Sequence, residues 1–316
     1  DNCDDNTAQV AREAGAICLE REAEPRGRKG YALAWYLERV LPNEDSYDAF
    51  IIFDADSRPS QDFLQVMSRR LRAGATVLQG QHIIANSSDS MFTRLADIDM
   101  RINNRLRNLS RSNLGLSCRL MGDAMCFERY VLERYPWSAY SLVEDREYGI
   151  QLLGQGIHIH YAPEATSLGQ AASGWSRAKS QRMRWTGGVL HLRRKFAAQL
   201  FLTGIRHRNP SAVDQAVELL MPPFSVLAMG AAFLLVAQFL FSGLRSPSSM
   251  IVTIGVTIAL ILVPVFSLLL DRAPPSLFLY VFLGPIYAVW RIWINLMTIF
   301  RLDQLRWIRT KRTEEK

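Results

Sequence analysis

Ala49-Phe50-Ile51-Ile52-Phe53-Asp54-Ala55-Asp56 decides the fold class. Five consecutive apolar residues, rich in β-formers and too short for a helix, read as a buried strand of the parallel kind. Two acids follow at its C-terminal end, where open α/β sheets bind ligands. Working outward, Gly30 to Val40 reads as an amphipathic helix before it and Phe63 to Leu71 as a helix after it. Thr76 to Ile84 then reads as a strand and Ser90 to Leu109 as one long helix. Ala8 to Ala14 suits a helix, Ala16 to Leu19 a short strand and Arg146 to Leu153 a helix. Strands alternating with helices over this length imply an α/β layered domain.

The chain has 316 residues, 49% hydrophobic and 21% charged, which excludes a disordered chain. Its 37 Lys and Arg against 30 Asp and Glu give a formal charge of +7. Charge is dense up to about residue 210 and nearly vanishes from Leu219 to Phe300, so a soluble part precedes an apolar part. Two stretches there, 219–241 and 250–270, have the ~20-residue length of a membrane helix. A third, 276–300, is broken by Gly284-Pro285 and carries Arg291 among Tyr287, Trp290 and Trp293, an interfacial or re-entrant pattern. Basic clusters at Arg193-Arg194-Lys195, Arg206-His207-Arg208 and Arg306 to Arg312 flank the apolar region. That placement fits anionic lipid, not nucleic acid. Arg101, Arg105, Arg107 and Arg111 are expected to form one solvated helix face.

The expected organisation is a catalytic domain over 1–190, a juxtamembrane segment over 191–216, a membrane region over 217–300 and a basic cytosolic tail over 301–316. The chain opens on Asp1-Asn2-Cys3-Asp4-Asp5-Asn6-Thr7, a turn-and-cap string that usually follows a strand, so an upstream portion is expected to be missing. Cys3, Cys18, Cys118 and Cys126 have no CxxC spacing and are expected to be reduced structural thiols.

Three motifs carry candidate chemistry. Asp54-x-Asp56 can hold a divalent ion that also binds a diphosphate, or it is a turn. Val143-Glu144-Asp145 opens a helix, and its acids either complement the helix dipole or supply a base. Gln181, Arg184 and Trp185 share one helical face. They offer an amide, a phosphate-binding guanidinium and an aromatic platform for a sugar, or they belong to an amphipathic juxtamembrane helix.

The order Asp54-x-Asp56, Glu144-Asp145, Gln181-x-x-Arg184-Trp185, then apolar helices, resembles the family-2 processive glycosyltransferases: cellulose, chitin, hyaluronan and poly-N-acetylglucosamine synthases. Asp1 to Ala8, Arg28-Lys29-Gly30-Tyr31-Ala32-Leu33, Gly122 to Phe127, Tyr161 to Ala165 and Trp307 to Arg312 look similar to further family segments. Val143 departs from the small residue usual before Glu-Asp.

The resemblance implies a GT-A, Rossmann-like domain followed by transmembrane and interfacial helices. It implies a UDP-sugar donor held by Asp1, Lys29, Asp54, Asp56, Gln181 and Arg184, with Mg2+ or Mn2+ on Asp54 and Asp56. Asp145 is the implied general base of an inverting transfer to a growing β-linked polysaccharide or oligosaccharide. Glu144, Trp185 and Trp137 are the implied acceptor contacts. A non-processive enzyme adding one sugar to a lipid, ceramide glucosyltransferase-like, shares the same acids. Implied too are a bacterial inner-membrane location with a cytosolic catalytic domain, contact with membrane lipid, no nucleic-acid partner and an oligomer.

Overall fold

A computed structural model describes residues 1–26, 28–42 and 47–300; the basic tail, including Trp307 to Arg312, lies outside the described residues. In chain order the elements are α1 (Thr7–Glu13), α2 (Lys29–Val40), β1 (Ala49–Ile52), β2 (Arg58–Pro59), α3 (Phe63–Arg72), β3 (Val77–Ile84) and α4 (Met91–Arg101). A π-helical stretch (Ile102–Leu109) leads to α5 (Ser110–Asn113), β4 (Met125–Glu128), α6 (Arg129–Arg134), α7 (Glu144–Gly154) and β5 (Ile159–Gly169). The C-terminal helices are α8 (Trp175–Arg206), α9 (Pro210–Leu220), α10 (Phe224–Leu240), α11 (Pro247–Leu270), α12 (Pro275–Val281) and α13 (Gly284–Phe300).

The five strands form one sheet in the order β1-β4-β3-β5-β2. Only β3 and β5 run parallel; β1 and β3 both flank β4 antiparallel, and β2 pairs antiparallel with β5. The expectation of a parallel 49–53 strand is therefore corrected: β1 is antiparallel to β4, from Ala49 opposite Glu128 to Ile52 opposite Met125. An apolar run reports burial and says nothing about the direction of its neighbour. Likewise, 16–19 is not a strand, and Ile17 lies exposed with no ladder to join.

The sheet is covered on both faces. Leu37 and Ala34 of α2, Val131 and Leu132 of α6, and Tyr148 and Leu152 of α7 pack with Met125, Phe127 and Tyr161 in one cluster. Phe63, Val66 and Met67 of α3 pack on the other with Leu78, Cys126 and Ala165. At about 25 cal/mol per Å² of apolar surface removed from water, each such fully buried large side chain contributes about 1.5–3 kcal/mol. Ser90 starts α4 with a reciprocal cap, its hydroxyl accepting from the Thr93 amide while Thr93 accepts from the Ser90 amide. Cys118 and Cys126 are buried and all four cysteines are free; burial pushes both of these thiols up to about 12.

The solvated helix face expected for Arg101, Arg105, Arg107 and Arg111 is also corrected. Arg101 and Arg105 both pair with Asp271, the latter at 2.6 Å. Arg107 pairs with Glu218, and Arg111 with Asp214 at 2.6 Å and Glu218 at 2.8 Å. Their carboxylates lie on or just after α9 and α11, so this row of arginines fastens the α/β layer to the C-terminal helices.

Among the described residues, α11 is one helix of 24 residues long and apolar enough to cross a membrane. The pairs α9 with α10 and α12 with α13 pass the same test only together and bend by 62° and 58°. The single span expected over 219–241 is thus broken after Leu220, because Pro222 and Pro223 lack the N–H that continuation needs and clash with the preceding turn. The boundary expected at residue 190 falls inside α8, whose 32 residues run unbroken from the α/β layer towards α9.

Candidate active site

One cavity of about 2260 Å³ receives eight of the ten expected site residues: Lys29, Asp54, Asp56, Glu144, Asp145, Gln181, Arg184 and Trp185. It lies between the C-terminal end of β1 and the helices α8, α10 and α13. The position follows from local structure. β1 ends at Ile52, so the chain delivers Asp54 and Asp56 to the rim; α7 begins at Glu144, so both acids of the second motif sit in its first turn.

Lys29 bridges the motifs, its ammonium donating to Asp54 Oδ1 at 2.6 Å and to the Gly122 carbonyl. Two glycines allow this closeness. A Cβ on Gly30 would lie 2.1 Å from the Ala139 carbonyl oxygen, so only glycine lets α2 rest on the loop before Glu144. Gly122 has φ +86°, a left-handed conformation, and leaves room for Asp145 Oδ2, which a Cβ would meet at 3.2 Å.

Burial, and after it the charge of Asp145, pushes Glu144 up to about 7, with Lys29 and Arg184 opposing. Burial raises Asp145 as well, against the Arg146 amide and Lys29. Neighbouring carboxyls raised in a cleft are the electrostatic condition for a group that accepts a proton near neutrality.

Asp123 is the organising residue that the motif reading missed. Its Oδ1 accepts from the Asp54 amide at 3.1 Å and from Ser57 Oγ at 2.7 Å; its Oδ2 accepts from Ser167 Oγ at 2.8 Å and faces His82 Nδ1 at 2.8 Å. Burial works against ionisation, but these hydrogen bonds outweigh it and hold the carboxyl at about 2. Asp123 thus clamps the Asp54-Ala55-Asp56-Ser57 turn to the sheet. Its sequence signal was the Gly122 to Phe127 stretch, whose partners are too distant to pair by inspection.

Two expected residues lie elsewhere. Trp137 is buried in the sheet core, its ring centroid 4.3 Å from that of Tyr148 and tilted to it, with its indole N–H donating to the Ala139 carbonyl, and forms no acceptor platform. Its apolar neighbours Phe127 and Tyr148 claim it for packing. Asp1 pairs with Arg21 at 2.6 Å and does not line the cavity.

Charge divides the cavity wall in two. One group is Asp54, Asp56, Asp123, Glu144 and Asp145 with Lys29 and Arg184; the other is Arg107, Arg119, Arg146, Arg182, Arg193 and Arg291 with Asp99 and Glu218, and the two meet where Arg119 and Arg146 act on Asp145. The second group was not foreseen as a site. Among the described residues no three His, Cys, Asp or Glu side chains converge to hold a metal. Asp54 and Asp56 supply two carboxylates, the number with which magnesium is commonly held alongside phosphate oxygens.

The family model for glycosyl transferase family group 2 matches residues 49–294. The chain is 26% identical over 163 residues to a probable glycosyltransferase, YdaM, of Bacillus subtilis (strain 168), covering 50% of this chain and 38% of that one. It is also 26% identical over 204 residues to glucomannan 4-beta-mannosyltransferase 7 of Arabidopsis thaliana, covering 64% of this chain and 36% of that one. This chain thus spans less than two-fifths of either relative's length. Among solved structures, the mannosyltransferase PcManGT from Pyrobaculum calidifontis, in complex with GDP-Man and Mn2+, is similar with a TM-score of 0.48 and 17% identity over 82% of this chain and 74% of that one.

Proposed function

Because the chain belongs to glycosyl transferase family group 2, and is thereby a hexosyltransferase with a GT-A-like α/β layer, we propose that it is a metal-dependent, inverting enzyme with Asp145 as its general base. The supporting observation is the single cavity shared by the Asp54-Asp56 rim, the Glu144-Asp145 helix start and the Gln181-Arg184-Trp185 face of α8.

In this reading the donor is a nucleoside-diphosphate sugar whose diphosphate lies at the rim. Asp54 and Asp56 would hold Mg2+ or Mn2+, which would supply Lewis-acid neutralisation of the leaving diphosphate. Arg184 and Gln181 donate charge-assisted hydrogen bonds where that negative charge develops. Asp145 takes the acceptor hydroxyl's proton as the oxygen attacks the anomeric carbon from the face opposite the leaving group, so an α-linked donor gives a β-linked product. Trp185 offers its ring to the acceptor sugar. The fixed position of Asp145 comes from the α7 start, and Asp123 keeps the rim carboxylates in place.

The donor nucleotide is UDP by the resemblance of the motifs. The mannosyl activity in the plant relative's name supports a mannosyl donor as a second reading. The acceptor is a growing β-linked glycan or a lipid, and the apolar C-terminal helices support a place in a membrane. The test incubates the chain in membranes with UDP- and GDP-sugars, with and without divalent metal, and determines the product's anomeric configuration by NMR. Inverted product formed only with metal is expected. Retained configuration, or full transfer in chelator, contradicts the reading.

A further inference from the structure

The far half of the cavity has a chemistry of its own. Arg107, Arg119 and Arg146 converge on one oxygen, Glu218 Oε1, at 3.4, 2.9 and 3.2 Å. Arg182 donates to Asp99 at 2.8 Å. Arg291 of α13 hydrogen-bonds Tyr287 and lies in the field of Asp99, but its buried Nη1 has no hydrogen-bond partner. One turn on, Asn295 accepts from Thr186 Oγ1 at 3.2 Å, yet its buried Nδ2 also lacks a partner. Arg291 and Asn295 both line the cavity.

Six guanidiniums, those of Arg107, Arg119, Arg146, Arg182, Arg193 and Arg291, outnumber the carboxylates of Asp99 and Glu218 on this wall, with Asp145 adding a third near Arg119 and Arg146. A buried charge without its counter-ion costs several kcal/mol, so the wall is shaped for something that supplies the missing negative charge. A neutral glycan does not meet that need. Its hydroxyls both donate and accept, whereas guanidinium groups only donate, and two carboxylates already engaged by arginines offer few acceptors in return. A phosphate accepts at every oxygen and suits the planar guanidinium fork. Beyond Arg291 and Asn295 the lining turns apolar, with Phe224, Met229, Ile261, Pro264, Phe282 and Leu296. An anionic subsite opening into an apolar one matches an amphiphile.

We propose that Arg182, Arg291 and Asn295 bind the phosphate headgroup of a lipid acceptor, whose chains occupy the apolar end of the cavity and whose sugar or hydroxyl is thereby presented to Asp145. The inference rests on the reading of Asp145 as the base and specifies the acceptor of that same site. The donor diphosphate is the rival anion; its place at the rim beside Lys29 and Asp54 leaves the far arginines to a second ligand.

The experiment reconstitutes the full chain in phosphatidylcholine nanodiscs and titrates a polyprenyl phosphate, reading retained lipid by native mass spectrometry. Inorganic phosphate, a neutral β-linked oligosaccharide and UDP or GDP with magnesium serve as competitors. Saturable retention is expected, weakened tenfold or more by Arg291→Gln, partly restored by Arg291→Lys, and unaffected by inorganic phosphate or the oligosaccharide at equal concentration. Asn295→Ala, which removes no charge, is expected to weaken retention in the same direction and guards against a folding defect in the arginine variants. Nucleoside diphosphate affinity is expected to stay within twofold in all of them. No saturable retention, equal competition by inorganic phosphate or oligosaccharide, or an equal loss of nucleotide affinity in Arg291→Gln would overturn the proposal. Asp145→Asn separates the two readings: retention lost only in the Arg291 and Asn295 variants supports the headgroup site, whereas transfer surviving in Asp145→Asn strikes the proposed mechanism alone.

Discussion

The sheet end and the helix end of the cavity carry opposite charge for opposite structural reasons. At the sheet end, acids stand at the first residues after β1 and at the first turn of α7, positions set by where each element stops or starts. At the helix end, arginines from the π-helical stretch, the loop before β4, α7 and α8 meet Asp99 and Glu218 only through tertiary packing. The first arrangement can handle a diphosphate through a shared cation; the second can receive an anion directly. Under the proposed function, this charge pattern would give each substrate its own end of the cavity.

The sharpest way to break that division is Asp145→Asn. The amide has the carboxylate's shape and cannot take the proton, so transfer is expected to fall by ~10²–10⁴-fold with nucleoside diphosphate affinity near that of the native chain. Transfer assays beside calorimetry on the same membrane preparation check it, and a variant retaining most of its rate removes Asp145 as the base.

Next in size is Glu218→Gln, which leaves Arg107, Arg111, Arg119 and Arg146 without their shared partner. Breaking a buried pair from one side costs about 3–5 kcal/mol, measured as a drop in thermal midpoint in detergent. A combined Glu218→Gln and Arg107→Gln change is expected to recover part of the loss, because it restores balance. An unchanged midpoint in the single variant would show that the cluster does not hold the helix end to the α/β layer.

The same contrast explains what was legible in the sequence. Asp54, Asp56, Glu144, Asp145, Gln181, Arg184 and Trp185 announced themselves because each motif is local: a strand run with acids after it, a helix start, one face of a helix. The arginines did not, since Arg105 meets Asp271 across 166 residues and Arg107 meets Glu218 across 111. Their spacing alone looked like a solvated face. Trp137 misled for the complementary reason. An aromatic near a candidate base suits a sugar platform and a core equally, and only Phe127 and Tyr148 decide for the core. Helix boundaries were clear at Ser90 and obscured at Pro222-Pro223, where hydropathy runs through a break that the backbone imposes.

A smaller effect belongs to Asp123→Asn. Losing a buried carboxylate that accepts from Ser57, Ser167 and the Asp54 amide is expected to cost about 1–3 kcal/mol and to loosen the rim, weakening donor affinity. The pH dependence has a definite sign. The folded carboxyl sits at about 2, below the ~3.9 of an unperturbed Asp. Its ionised form therefore stabilises the fold above about pH 4, and the contribution fades as pH falls from there towards about 2. Denaturation followed across that window is expected to show a steeper loss in the native chain than in the variant; parallel curves would leave Asp123 without the clamping role.

Smallest is Glu144→Gln. Transfer needs an ionised Asp145, and burial raises that group, so the rate is expected to fall with acid at a pH above the usual carboxylate range. Removing the neighbouring carboxyl takes away a negative charge and is expected to move that acid limb to lower pH. A limb that stays in place would mean the two carboxyls do not influence each other.

The central claim, that the rim carboxylates hold the donor while Asp145 takes the proton, is tested most directly by one paired titration. Nucleoside diphosphate is titrated calorimetrically into Asp56→Ala and Asp145→Asn side by side, with and without magnesium. The magnesium-dependent part of the affinity is expected to vanish in Asp56→Ala and to remain in Asp145→Asn. Loss of that part in Asp145→Asn, or its survival in Asp56→Ala, would contradict it.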